Sequence, residues 1–362
     1  MKYVDEFRNS KRVLKIADSI KAITPHKSIN IMEVCGTHTQ NFHRFGLAKL
    51  LPKNIRFISG PGCPICVSSQ RYIDTAIILS RRKDIIILTF GDMLRIPGSS
   101  SSLEKERAEG ANVSIVYSPL EALTIAKINP DRKIIFLGIG FETTAPAIAL
   151  SIIAAKKARI KNIFFLTSLK LVLPVMRYLL LDKRLKLDAF LCPGHVSAII
   201  GTKGYEFIAK KYKIPCCVTG FEPLDILEGI YLILKQIRSN KPEVANQYTR
   251  VVTKTGNLKA KRIISRVFKK SSADWRGFGN IYNSGLKIRT EFSLFDAEKV
   301  FPNSLAAFTL ESTKGCLCGD VLKGLINPDN CPLFGKACTP DNPVGPCMVS
   351  NEGACNAYFR YR

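Results

Sequence analysis

Short apolar runs alternate with amphipathic stretches along this chain. Residues 29–34, 55–59 and 84–90 are apolar and rich in β-branched side chains, and 113–117 repeats the theme. Residues 133–138, 162–167, 189–192 and 216–218 continue it. Between them, 119–127, 145–158, 169–181, 204–212 and 223–238 carry helix-like spacing. Near-continuous apolar strands alternating with helices predict α/β units on parallel sheets that are buried on both faces. After about residue 240 the pattern degrades. Residues 241–315 are mixed and basic, around Trp275-Arg276-Gly277-Phe278-Gly279-Asn280. From Cys316 onward the chain is rich in Cys, Pro, Gly and Asn. So short a segment with so few apolar stretches needs an external staple.

Almost every predicted strand runs into a loop of small or reactive residues. Strand 29–34 leads to Cys35-Gly36-Thr37-His38-Thr39, and 55–59 leads to Gly60-Pro61-Gly62-Cys63-Pro64-Ile65-Cys66. Strand 84–90 leads to Gly91-Asp92-Met93, and 133–138 leads to Gly140-Phe141-Glu142-Thr143-Thr144. The strand 189–192 leads to Pro193-Gly194-His195, and 216–218 leads to Thr219-Gly220-Phe221-Glu222-Pro223. Open parallel sheets bind ligands beyond the carboxyl ends of their strands, so these loops are expected to converge. The expectation is two related α/β domains, 1–125 and 126–240, facing a shared cleft. A basic connecting region, 241–315, and a Cys-rich region, 316–362, follow.

A length of 362 residues fits two or three domains. Hydrophobic residues make up 46% and charged residues 23%, which excludes wholesale disorder. No apolar run reaches the ~18 residues of a membrane span. The run from Ala145 to Ala155 ends at Lys156-Lys157, and the start is charged with no apolar leader core, so a cytoplasmic protein is expected. The net charge is +25, from 54 Lys and Arg against 29 Asp and Glu. The tail from Cys316 is neutral, so the excess is spread over the rest. No arginine-rich stripe, aromatic RNA-binding run or zinc-finger spacing accompanies it, which argues against nucleic acid. A basic surface that steers acidic partners and a general lysine bias both remain open.

There are 12 Cys and 4 His. In a cytoplasmic chain, that many thiols point to metal, redox or catalytic work rather than structural disulfides. Cys316, Cys318, Cys331, Cys338, Cys347 and Cys355 fall within 40 residues of tail. Spread thiols from irregular loops suit an iron–sulfur cubane, which takes four thiolates. A zinc site and disulfides are the alternatives. Cys63-Pro64-Ile65-Cys66 is a C-x-x-C, either a redox pair or half of a metal site. Cys35 is a nucleophile, a soft ligand for iron, or a buried strand-end cysteine. His195 is structural or functional. Glu142 is a helix cap or a site carboxylate, and Asp92 is equally ambiguous. There is no G-x-x-x-x-G-K-[ST], so no standard P-loop. Gly138-Ile139-Gly140 lacks the third glycine of a dinucleotide fingerprint, Thr143 standing there. No C-x-x-x-C-x-x-C is present, which removes the usual radical-enzyme signature.

Taken together, these blocks resemble the HypD family, maturation factors for [NiFe] hydrogenases. The resemblance spans nearly the whole chain. Its blocks are Cys35-Gly36-Thr37-His38-Thr39, Gly60 to Cys66, Gly140-Phe141-Glu142-Thr143-Thr144, Pro193-Gly194-His195-Val196-Ser197, Trp275-Arg276-Gly277, and the tail from Cys331-Pro332-Leu333-Phe334-Gly335-Lys336 through Gly353-Ala354-Cys355. Phe278 and Tyr282 depart from the residues common in that family, Leu and Pro, outside these blocks. The resemblance implies a [4Fe–4S] protein that works with HypC and HypE. It implies help in assembling an iron with two cyanides and one carbonyl, which the protein holds transiently. The family's C-x12-C-x6-C-x16-C cluster pattern falls on Cys318, Cys331, Cys338 and Cys355, leaving Cys316 and Cys347 over. The family's iron-holding cysteine matches Cys35, and its redox pair matches Cys63 and Cys66. His38, Asp92, Glu142, His195 and Glu352 are candidates for outer-shell contacts or proton handling. The other class that the residues support is a cluster-dependent thiol–disulfide oxidoreductase.

Overall fold

The computed structural model describes residues 4–306 and 315–361. Part of the basic connecting region and Arg362 therefore lie outside the described residues. Eleven strands are seen: β1 (Ile29–Glu33), β2 (Ile55–Ser59), β3 (Ile85–Thr89), β4 (Val113–Ile115), β5 (Lys133–Gly140), β6 (Ile163–Lys170), β7 (Ala189–Pro193), β8 (Cys216–Thr219), β9 (Val244–Asn246), β10 (Phe268–Trp275) and β11 (Gly279–Ile288). They form two sheets. The first has the order β2-β1-β7-β8-β9 and is wholly parallel. The second has the order β10-β11-β6-β5-β3-β4, parallel from β6 to β4 and closed by an antiparallel hairpin. This is the α/β architecture, with two parallel-dominated sheets, that the alternating runs predicted.

The sheets do not follow the expected sequential halves. The chain builds β1 and β2 of the first sheet, leaves for β3 to β6 of the second, returns for β7 to β9, and leaves again for the hairpin. A boundary at residue 125 therefore falls inside the second sheet. The apolar runs carry strand identity but no label for the sheet they join, so the interleaving has no signature in the pattern. The basic stretch also holds more than expected. Phe268–Trp275 buries its two ends while Lys269 and Lys270 face solvent, and it pairs with β11 to complete the second sheet. Residues 204–212 form a 3-10 turn and a π turn rather than one regular helix.

Burial explains the layering. The outer face of the first sheet packs Ile29, Ile31 and Leu191 against the helices Ser10–Ile23 and Pro223–Ser239. The outer face of the second packs Ile134, Phe136 and Phe165 against the helix Ala145–Lys157. The inner residues of both sheets, among them Met32, Phe190, Ile87 and Ile135, share one core with Cys63, Cys66, Trp275 and four tail cysteines: Cys318, Cys338, Cys347 and Cys355. At ~25 cal/mol per Å² of apolar surface removed from water, this shared core docks on both sheets a tail whose own regular structure, among the described residues, is two short helices, Cys318–Leu322 and Ala354–Tyr361, and two 3-10 turns.

The Trp275-Arg276-Gly277 block is the turn of the hairpin. Trp275 is buried and donates its indole N–H to Ser284 Oγ at 2.8 Å. Gly277 has φ +77°, and a Cβ there would lie 2.4 Å from Gly319 Cα. The hairpin tip thus touches tail backbone directly beside Cys318. Gly277→Ala should cost ~2–4 kcal/mol, from left-handed backbone plus overpacking. Thermal melts and limited proteolysis should show loosening at the tail, and an unchanged melting profile would contradict this docking.

Candidate functional site

Each sheet has one topological switch point. In the first it lies between β1 and β7, and in the second between β3 and β5. The loops that leave these four strands carry Cys35, His195, Asp92 and Glu142, which is the placement expected of a ligand site in open α/β sheets.

Cys35 is the N-cap of the helix Gly36–Arg44, immediately past β1, and it is buried. Two glycines make its surroundings possible. A Cβ on Gly62 would lie 2.3 Å from Cys35 Cα and N, so the C-x-x-C loop rests directly on the Cys35 backbone. A Cβ on Gly36 would lie 2.5 Å from Glu352 Cβ, so the tail rests on the other side. Thr37 Oγ1 donates to Glu352 Oε1 at 2.7 Å. Burial pushes the Cys35 thiol up to about 12, and the carboxylates of Glu352 and Glu33 push the same way against the amides of His38 and Thr37. A bound cation reverses this balance, because a thiolate flanked by two acids is favourable only beside positive charge.

Glu33 was not among the expected site residues. It is fully buried, accepts from the Cys35 amide at 3.1 Å, and accepts the Thr39 hydroxyl. Burial raises its carboxyl to about 8. The available signal was an acid ending an otherwise apolar strand, Ile31-Met32-Glu33-Val34.

His38 is buried. Its Nε2 meets Gly220 O at 2.8 Å and Thr219 Oγ1 at 3.1 Å. Donation to a carbonyl places the proton on Nε2, and burial holds the ring neutral by lowering its pKa to about 4. Its Nδ1 has no hydrogen-bond partner among the described residues. Phe221 lies against both imidazoles, 4.8 Å from the His38 ring and 3.9 Å from that of His195. Phe221, also outside the expected set, therefore connects the loop after β7 to the one after β1. Burial lowers the His195 pKa as well.

Asp92 meets the tail rather than a thiol, accepting the Ser350 hydroxyl at 2.8 Å. Burial raises the Glu352 carboxyl, and Asp92 adds to the effect. Glu142 takes the cap role. Its carboxylate accepts from the Val172 amide at 3.1 Å, at the start of the helix Val172–Leu179. Burial raises it to about 7. Among the contacts described, Glu142 makes none with Cys35 or with the C-x-x-C pair.

Cys63 and Cys66 form a disulfide. Both are buried, and Cys66 Sγ lies 3.8 Å from Pro346 O of the tail. The six tail cysteines line one small cavity with Phe334, Gly345 and Met348. The four expected cluster ligands, Cys318, Cys331, Cys338 and Cys355, are all there, and so are Cys316 and Cys347. Hydrogen bonds from Cys316 and Cys347 hold the Cys318 thiol well below its usual range, helped by the positive charge of Arg276. Cys316 and Cys347 shift the opposite way as donors. No three Cys, His, Asp or Glu side chains among the described residues close on one point as ligands of a single ion do. A four-iron cube places each thiolate on its own iron. A ring of six soft donors around an apolar-walled hollow fits such a cluster in donor type and holds two thiols more than the four it takes.

Three separate thiol groups thus meet at one junction of an α/β protein: a buried single cysteine, a disulfide and a six-cysteine pocket. The fold and site define an α/β protein with nine of its twelve cysteines gathered at one junction. A family model described as "HypD: Hydrogenase formation hypA family" matches residues 11–362. The chain is 45% identical to the hydrogenase maturation factor HypD of Azotobacter vinelandii, covering all of this chain and 97% of that one. It is 42% identical to the factor of the same name from Escherichia coli K12 and 43% identical to that from Rhodobacter capsulatus, covering all of this chain and 98% of each. The chain belongs to the HypD family, whose named relatives are hydrogenase maturation factors. No helix among the described residues is long and apolar enough to cross a membrane.

Glu142 yields a pH prediction. Its folded pKa is raised from 4.5 to about 7, so the fold favours the protonated acid. That contribution is complete below the unfolded value and is lost as pH rises through about 7. Glu142→Gln keeps a neutral acceptor for Val172. It should match the parent near pH 5 and exceed it by ~1–3 kcal/mol at pH 8. Parallel melting profiles across that range would refute the assignment.

Proposed function

We propose that this protein is a scaffold and redox factor for building the iron–dicyanide–carbonyl group of [NiFe] hydrogenases, acting with HypC and HypE. The observation that carries the reading is the junction itself: Gly62 backbone against Cys35, and Cys66 sulfur against the tail that holds the six-thiol pocket. The iron under assembly is cargo, held by the Cys35 sulfur. Burial first, and the neighbouring acids Glu352 and Glu33 after it, disfavour a free Cys35 thiolate, and a bound cation would relieve that cost. His38, His195 and Asp92 are outer partners, His38 being held neutral through Gly220 and Thr219.

Cys318, Cys331, Cys338 and Cys355 would hold the resident cluster. Bound there, a [4Fe–4S] cluster supplies electrons singly, drawn from an external one-electron donor protein. Opening the Cys63–Cys66 disulfide to two thiols takes two electrons and two protons. The dithiol then sits beside Cys35, in reach of cargo whose cyanide is released reductively from a sulfur carrier. The alternative is a cluster-dependent reductase of protein disulfides, which shares the pocket and the C-x-x-C but gives Cys35 no task.

Two experiments separate these readings. Mössbauer spectroscopy of iron-57 protein, purified without oxygen from cells making its partners, should show a cluster plus a separate low-spin iron. Cys35→Ser should remove only the second signal. A cluster alone in the parent favours the reductase, and zinc without iron overturns both. Cys63→Ser should keep the cluster spectrum and abolish hydrogenase maturation. Normal maturation in that variant would defeat the electron relay, whereas loss of the cluster would assign Cys63 to the metal site.

A further inference from the structure

Arg276 has only 3% of its surface exposed, yet its guanidinium is almost unsatisfied. Nη2 donates to Gln70 Oε1 at 2.6 Å. Nε and Nη1 are buried without a hydrogen-bond acceptor among the described residues. A buried guanidinium stays charged at any working pH, and a buried charge needs an opposite charge facing it. No described carboxylate pairs with it; its one hydrogen-bonded side chain is a neutral amide.

Its position supplies a candidate. The Arg276 amide donates to Val67 O at 3.0 Å, one residue past Cys66. The next residue, Gly277, presses on Gly319, one residue past Cys318. The side chain therefore leaves the backbone between the disulfide loop and the cysteine pocket. Four thiolates around a [4Fe–4S] core carry two net negative charges, and three after one electron is added. A fixed positive charge beside such a group favours the reduced state and raises its potential.

We infer that Arg276 is the buried counter-charge of the iron–sulfur cluster, a positioning residue that sets the cluster's reduction potential. This rests on the cluster reading proposed above. Lysine in its place keeps the charge but loses the fork of donors. Glutamine removes the charge and keeps a polar partner for Gln70.

The test is an EPR-monitored redox titration of the full-length protein, with iron and sulfide assayed alongside. Arg276→Gln should keep a full complement of iron and sulfide and shift the midpoint to lower potential. Arg276→Lys should restore most of that shift, a rescue that a purely packing role would not produce. An unchanged midpoint in a fully loaded Arg276→Gln protein overturns the inference while leaving the cluster reading intact. Absence of iron and sulfide from the parent protein removes the cluster reading itself, and the inference with it. Should Arg276→Gln fail to accumulate, the unmutated protein decides. With nitrogen-15 arginine, pulsed EPR of the reduced cluster should resolve a nitrogen coupling, and its absence overturns the assignment.

Discussion

Backbone contact through glycine is the constraint on which the rest of this molecule depends. Gly62 against Cys35, Gly36 against Glu352 and Gly277 against Gly319 are approaches that no side chain permits. Each one joins a segment bearing a cysteine to a segment remote in sequence. Together they bring the disulfide loop, the single buried cysteine and the cysteine pocket into one compact junction. A methyl group at any of the three would push apart elements that these contacts hold together.

Electrostatics then shapes what the junction can hold. The Cys35 side is acidic, with Glu33 and Glu352 near a thiol that resists ionisation on its own. The pocket side is a set of soft donors, and the buried Arg276 follows Trp275 at the hairpin tip whose Gly277 meets Gly319, one residue past Cys318. The two sides of the junction therefore differ in the charge that surrounds their sulfurs. The Cys63–Cys66 disulfide, uncharged in either its oxidised form or as neutral thiols, lies between the two sides.

Much of this was readable in the chain because it follows from local rules. Apolar runs of five or six residues read as strands, and the loops after them carry the reactive side chains. Cys35, Asp92, Glu142 and His195 do lie at the two switch points. What could not be read depends on three-dimensional neighbours. Whether β7 joins β1 or β6 is decided by packing, not by Ala189–Pro193 itself. Glu142 looked the same in sequence whether it served a site or capped Val172. Glu33 and Phe221 stood within or beside quoted motifs, but their importance came from contacts with Cys35 and with both imidazoles. The hairpin Phe268–Ile288 was hidden because its outward face is polar and basic.

The hydrogen bond from Thr37 to Glu352 spans 315 positions of chain. During synthesis at ~5–20 residues per second, that separation corresponds to tens of seconds. For most of that interval Cys35, Cys63 and Cys66 have been made, and the segment that covers them has not. The junction is therefore a late event in the life of each molecule, and its thiols depend until then on the reducing state of their surroundings. The order of synthesis thus becomes an order of assembly: the sheets first, the covering tail last.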